Sequence, residues 1–191
     1  MQTRSGAQAT LQEKAATGAP DPGVEFFRRM YGGAWVTQGL AAAAELGIPD
    51  LLAVRPRSVQ ELAEQCAADA GSLFRLLRAL AGVGVFARDG QGRFELTPLG
   101  ELLRSDAPGS QHGLAIMMGA EFQQAWGELL YSVRTGKPGF DRRFNAPFFR
   151  YMTEHPERHR HYDAAMEAVH GPETEPMLEA YDFSRFQTVV D

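Results

Sequence analysis

Apolar residues recur along most of this chain at helical spacing, between a polar start and a short β-like stretch near the middle. Residues 1–23 are small and polar and end in Gly18-Ala-Pro20-Asp-Pro22-Gly23, the composition of a flexible tail and linker. From Val24, Phe26, Phe27, Met30 and Tyr31 fall at near-helical intervals, and Gly32-Gly33 reads as an interruption. A second helix follows from Trp35 through Leu40 to Leu46, stopped by Gly47 with Pro49 just beyond. Large apolar residues fall on more than one side of both helices, so each needs a large core or another chain to cover it.

Ser58-Val-Gln-Glu61 has the form of a capping box, a hydroxyl at the cap and a carboxylate three residues on. Asp69 is placed to cap the next helix, in which Leu73, Leu76, Leu77 and Leu80 make one stripe before Gly82. Val83 to Ala87 reads as a strand, Arg88 to Gly92 as a tight turn, and Arg93 to Leu96 as the returning strand. Thr97-Pro98 then opens another helix. Helix, turn, helix, two-stranded wing and helix make a winged helix. Beyond Ser110 the pattern is helical again: 111–119, 122–133, a Gly136-Lys-Pro-Gly139 loop, a helix opened by Pro147, and one opened by Pro156 that runs through Met166 toward His170. Residues 173–181 read as a last helix, and Gln187 to Asp191 as the start of a buried strand.

Composition narrows the function classes. The 191 residues are 44% hydrophobic and 23% charged, enough apolar material for a packed core. A net charge of −5 argues against nucleic-acid binding by bulk charge. No apolar run approaches the ~20 residues of a membrane helix, and no apolar leader segment is visible. With one cysteine, Cys66, no internal disulfide can form, and a cytoplasmic protein is expected.

Several patterns invite chemistry and most have a plainer reading. Gly82-Val-Gly84-Val-Phe-Ala87 spells a dinucleotide fingerprint, but a helix precedes it and a strand follows, the reverse of the order such a loop needs. Arg75, Arg78, Arg88 and Arg93 give the winged helix a thin basic face, so a structural role is favoured over base reading. His155, His159 and His161 do not share one helical face and lie among Arg158 and Arg160, so a solvated basic face is favoured over a metal site. Cys66 reads as a small core residue. Tyr162, Met166 and His170 stand at i, i+4 and i+8, one stripe of one helix. Packing alone accounts for such a stripe; a flat ring, a thioether and an imidazole in a row would also suit an aromatic ligand beside a polar cofactor edge.

The ordered set of motifs resembles the N-terminal portion of bacterial, plant-type S-adenosylmethionine-dependent O-methyltransferases of small-molecule and polyketide tailoring. Trp35-Val-Thr-Gln-Gly-Leu with Ala44-Glu-Leu-Gly-Ile-Pro-Asp-Leu-Leu52 is similar to the family's dimerising helices. Ser58 to Ala63, Leu76 to Leu80 and Phe94-Glu-Leu-Thr-Pro-Leu-Gly100 are similar to its winged helix. Arg134-Thr-Gly136, Phe149-Arg-Tyr-Met152, His155-Pro-Glu157 and Ala165-Met166 follow in order, then Tyr181-Asp-Phe183 and Thr188-Val-Val-Asp191.

The resemblance implies a mainly α fold: a helical dimerisation region plus winged helix, then linker helices leading into the first strand of a truncated Rossmann-like α/β methyltransferase domain. The implied divisions are a tail at 1–23, dimerisation and winged helix at 24–106, substrate-lid and linker helices at 107–180, and the start of the methyltransferase domain at 181–191. It implies a homodimer, S-adenosyl-L-methionine as cofactor, and an aromatic or polyketide-like acceptor whose hydroxyl is methylated, with no nucleic acid or membrane partner. Met117, Trp126, Tyr162 and Met166 correspond to acceptor-side positions, and His170 and Asp191 to cofactor-side positions. No catalytic residue is assigned, because the family's glycine-rich loop and histidine base lie beyond Asp191; the chain as given is expected to be inactive alone. A winged-helix transcriptional regulator and a non-catalytic dimerising module of a degenerate methyltransferase are the alternative readings.

Overall fold

The computed structural model describes residues 21–188 and 190. They fall into two compact units divided between Val36 and Thr37. Helix α1 runs from Pro22 to Glu45. The expected interruption at Gly32-Gly33 is absent: both glycines stay helical, since glycine in a helix interior costs only about 1 kcal/mol. Along α1 the side chains of Phe26, Phe27, Met30, Tyr31 and Trp35 are more than half exposed. Phe27 stacks on Tyr31 at 6.0 Å.

From residue 37 onward the elements are short and mostly helical. Helices α2 (Ile48–Val54), α3 (Val59–Gln65) and α4 (Ala70–Gly82) precede strands β1 (Phe86–Arg88) and β2 (Phe94–Leu96), and α5 (Pro98–Glu101) follows. This is the winged helix the sequence predicts. Both halves of the capping box form at α3: the Glu61 amide donates to Ser58 Oγ at 3.2 Å and the Ser58 amide to Glu61 Oε2 at 2.8 Å. Asp69 Oδ1 accepts from the Ser72 amide at 2.7 Å and caps α4.

The first strand starts at Phe86 rather than Val83, because α4 ends in a closed cap. The Val85 amide returns to Leu80 O and the Gly84 amide to Ala81 O, with Gly84 at φ +85° in the left-handed region that glycine adopts without strain. β1 and β2 pair antiparallel, Phe86 opposite Leu96 and Arg88 opposite Phe94. The core lies beneath the wing, where Ile48, Leu62, Leu77, Phe86 and Phe94 are almost wholly buried. Each such side chain contributes roughly 1.5–3 kcal/mol by leaving water.

Six helices follow: α6 (His112–Gly119), α7 (Glu121–Trp126), α8 (Leu129–Thr135), α9 (Gly139–Phe144), α10 (Phe148–Glu154) and α11 (Pro156–Ala180). The single helix expected over 122–133 is two, α7 and α8. The chain breaks at Gly127 and restarts at Glu128, whose carbonyl accepts from the Ser132 amide. The loop expected at 136–139 leads straight into α9, which the sequence pattern does not reveal.

The two helices expected after Pro156 are one, with Pro172 and Pro176 inside it. Each proline withdraws one backbone donor, but residues 171–180 are exposed throughout, so water can take the freed carbonyls. The buried strand expected at 187–191 is not formed among the described residues. Val190 is 87% exposed, and the two described strands are paired with each other, leaving no ladder for it to join. Among the described residues no helix is long and apolar enough to cross a membrane.

Candidate functional site

Helices α7, α9, α10 and α11 converge on a wall of aromatic rings. Phe140 of α9 stands at its centre, 4.5 Å from Phe144, 5.0 Å from Phe148 and 5.5 Å from Tyr151, the last two edge-on. Phe148 carries the wall to α11, meeting Tyr162 edge-on at 4.9 Å, and to α7 through Phe122 at 6.1 Å. Such edge-to-face pairs add about 0.5–1.5 kcal/mol each beyond area burial, so the wall is held in one geometry. Phe149 remains 68% exposed at its edge. Next to it a shallow groove of about 250 Å³ is lined by Phe122, Trp126, Leu129, Pro138 and Phe140.

The close approach of α6 to α11 sets the depth of this region. A Cβ on Gly113 would lie 2.6 Å from the His161 carbonyl oxygen and 3.0 Å from Ala164 Cβ, so glycine lets the two helices touch. Below the rings lies a charged cluster. Arg158 of α11 donates from Nη1 to Glu45 Oε1 at 2.7 Å, and its Nε lies 3.2 Å from Glu121 Oε1. Glu121 is only 3% exposed and its Oε2 has no hydrogen-bond partner among the described residues. Two carboxylates thus share one guanidinium. Burial first, and then the Glu121 carboxylate, push the Tyr151 phenol above its usual range, so it keeps its proton at neutral pH.

The residues singled out from the sequence are distributed as follows. Tyr162 and Met166 are half-buried on one face of α11, with Tyr162 inside the aromatic wall. Trp126 is 61% exposed at the groove. Met117 is wholly buried and presents no surface. His170 is exposed, with Nδ1 3.3 Å from Glu173 Oε2. Asp191 lies outside the described residues.

One exposed imidazole does not make a cradle for a nucleoside and a sulfonium, so the described residues by themselves do not fit S-adenosylmethionine. Sequence reasoning missed Arg158 and Glu121. The available signal was that Arg158 stands four residues before Tyr162 and so continues its stripe. Of the winged-helix arginines, Arg88 lies over Phe74 and Phe94 at 5.4 and 5.6 Å, Arg93 pairs with Asp89, and Arg75 bonds to Ser72.

The family model described as the O-methyltransferase dimerisation domain matches residues 29–106, which hold the second half of α1 and the whole winged helix up to the loop after α5. That segment carries the fold of the O-methyltransferase dimerisation-domain family. It is 42% identical over 163 residues to the phenazine O-methyltransferase PhzM of Lysobacter antibioticus, covering 85% of this chain and 48% of that one. The crystal structure of LaPhzM superposes with a TM-score of 0.81 at 40% identity, over 85% of this chain and 49% of that chain. An O-methyltransferase from neocarzinostatin biosynthesis, solved with S-adenosylmethionine and 2-hydroxy-5-methyl naphthoic acid, gives a TM-score of 0.67 at 31% identity, over 78% of this chain and 46% of that chain. The chain spans about half the length of the curated relatives it matches.

Proposed function

We propose that this chain is the dimerising and acceptor-binding part of a cytoplasmic O-methyltransferase. The reaction moves a methyl group from S-adenosylmethionine to a hydroxyl of an aromatic or polyketide-like small molecule. The single observation that carries the acceptor assignment is the aromatic wall set directly behind an O-methyltransferase dimerisation domain. A preformed wall of edge-to-face rings offers a planar acceptor a stacking surface and excludes water from one side of it. Tyr162 and Met166 contact the acceptor ring, Trp126 borders its entrance, the buried Met117 serves the core rather than the ligand, and His170 and Asp191 are assigned to the methyl-donor side. On this division residues 24–106 dimerise, 107–180 hold the acceptor and 181–191 lead to the cofactor side. The engagement of Arg75, Arg88 and Arg93 within the winged helix itself supports a structural winged helix over a nucleic-acid reader.

The test is equilibrium binding of 1-hydroxy-2-naphthoate to the full chain, followed by quenching of tryptophan fluorescence. Saturable quenching is expected, lost in a Trp126→Phe variant that leaves Trp35 as the remaining tryptophan. Met166→Ala should weaken binding by about tenfold at most, the size of a lost thioether–ring contact of roughly 0.3–1.5 kcal/mol. Its denaturation midpoint should fall less than that of Met152→Ala, because Met152 is wholly buried and Met166 is not. No saturable binding to a folded chain, or a Met166→Ala midpoint as low as Met152→Ala with binding unchanged, overturns the acceptor assignment.

A further inference from the structure

A second cavity, of about 560 Å³, lies between the loop that precedes α6 and the side of α11 turned away from the aromatic wall. Its helical wall is built from positions 161, 164, 168 and 171, spaced i, i+3, i+7 and i+10. That face is roughly half a turn around the helix from Tyr162 and Met166. Ala164 and Ala168 leave room there, and Pro108 closes the loop side.

Two imidazoles mark the inner end, His112 and His161, with ring centroids 6.1 Å apart. His112 Nδ1 lies 3.2 Å from the Leu103 carbonyl oxygen. A carbonyl only accepts, so Nδ1 carries a proton and Nε2 is the ring nitrogen left to meet a ligand. His161 is held below its usual range, chiefly by burial, and is an uncharged ring at neutral pH. Glu167 places a carboxylate on the rim, and among the described residues no lysine or arginine lines the cavity. The volume is that of a small-molecule site, and the charge on its wall is negative.

We propose that this cavity is a second ligand site, separate from the aromatic wall, that takes a small protonated amine carried on an apolar body. The ammonium sits between the Glu167 carboxylate and the imidazole acceptors, and the apolar body lies along Ala164, Ala168 and Pro108. An anion of the same shape faces the Glu167 carboxylate with no lysine or arginine among the described lining residues to offset it, and is disfavoured. The proposal does not depend on the acceptor assignment, since the two sites lie on different faces of α11.

The experiment titrates the full chain with benzylamine, benzyl alcohol and benzoate in turn, reading calorimetric heat and the His112 and His161 ring resonances. Benzylamine is expected to bind about tenfold tighter than the other two and to move both histidine signals. Glu167→Gln, at an exposed position that cannot unfold the chain, should weaken benzylamine about tenfold, and Ala168→Trp should abolish its binding by filling the cavity. Benzoate binding as tightly as benzylamine, histidine signals that do not move, or full affinity in Glu167→Gln overturns the proposal. If Ala168→Trp fails to fold, Glu167→Gln alone decides.

Discussion

Arg158 holds together the charged cluster below the rings, because it is the shared counter-charge of Glu45 and the buried Glu121. Removing one partner of a buried pair leaves the other uncompensated, which costs about 3–5 kcal/mol. Arg158→Met should therefore lower stability by up to about that much, because it strands the buried Glu121, while Glu45, 44% exposed, falls back on water. Glu121→Gln should be nearly neutral. It removes the excess negative charge, keeps an acceptor for Arg158 Nε, and exchanges one partnerless buried polar atom for another. Urea unfolding midpoints of the two variants check this, and an order of stability with Glu121→Gln below Arg158→Met would contradict it. The same contrast explains why the site was half legible in the sequence. Tyr162 and Met166 announce themselves by helical spacing. The pairing of Arg158 with Glu45, 113 positions away, depends on tertiary packing that no local pattern encodes.

At the scale of elements, local chemistry and legibility go together. The caps of α3 and α4 were predictable because both partners of each bond lie within three residues. The split between α7 and α8 and the short helix α9 were not, because their limits depend on how the rings around Phe140 pack. Pro172 and Pro176 misled in the opposite direction, since local rules stop a helix there while the solvated α11 tolerates both. The capping box carries a pH signature. Hydrogen bonds from Arg55, then from the Ser58 amide and hydroxyl, hold the Glu61 carboxyl down at about 2, against 4.5 for the free group. A depressed folded value means stability that is present above pH 4.5 and is lost as pH falls through 4.5 toward 2. Glu61→Gln should flatten the acid limb of the stability profile in that window by lowering the midpoint at neutral pH and converging with wild type as pH falls toward 2. Ser58→Ala should cost about 1 kcal/mol at neutral pH through the lost cap while keeping most of the acid limb, because Arg55 still holds the Glu61 carboxylate. Parallel acid titrations of the thermal midpoint separate the two, and an unchanged acid limb in Glu61→Gln would remove the capping box as its source.

For the whole molecule, the decisive surface is the outer face of α1. Val24, Phe26, Phe27, Met30, Tyr31 and Trp35 are each half or more exposed within fifteen residues of sequence, a density of apolar side chains that soluble monomers rarely leave in water. The family match over residues 29–106 takes in Met30, Tyr31 and Trp35 of this face, and the expectation drawn from it is that a second copy of the chain covers the helix. An obligate dimer interface of this kind buries more than about 2,000 Å² and has the apolar character of a core cut in half. The chain is therefore expected to sediment as a dimer at micromolar concentration through residues 24–52. Its thermal midpoint should rise with protein concentration, because association stabilises only the folded chain. Phe27→Asp places a charge in the middle of the apolar face, next to the stacked Tyr31, while leaving the buried residues beneath the wing untouched. It should yield a folded monomer whose midpoint no longer depends on concentration. A wild-type monomer mass, or a Phe27→Asp protein that still sediments as a dimer with its concentration dependence intact, would move the interface away from α1 and leave its exposed rings without a partner.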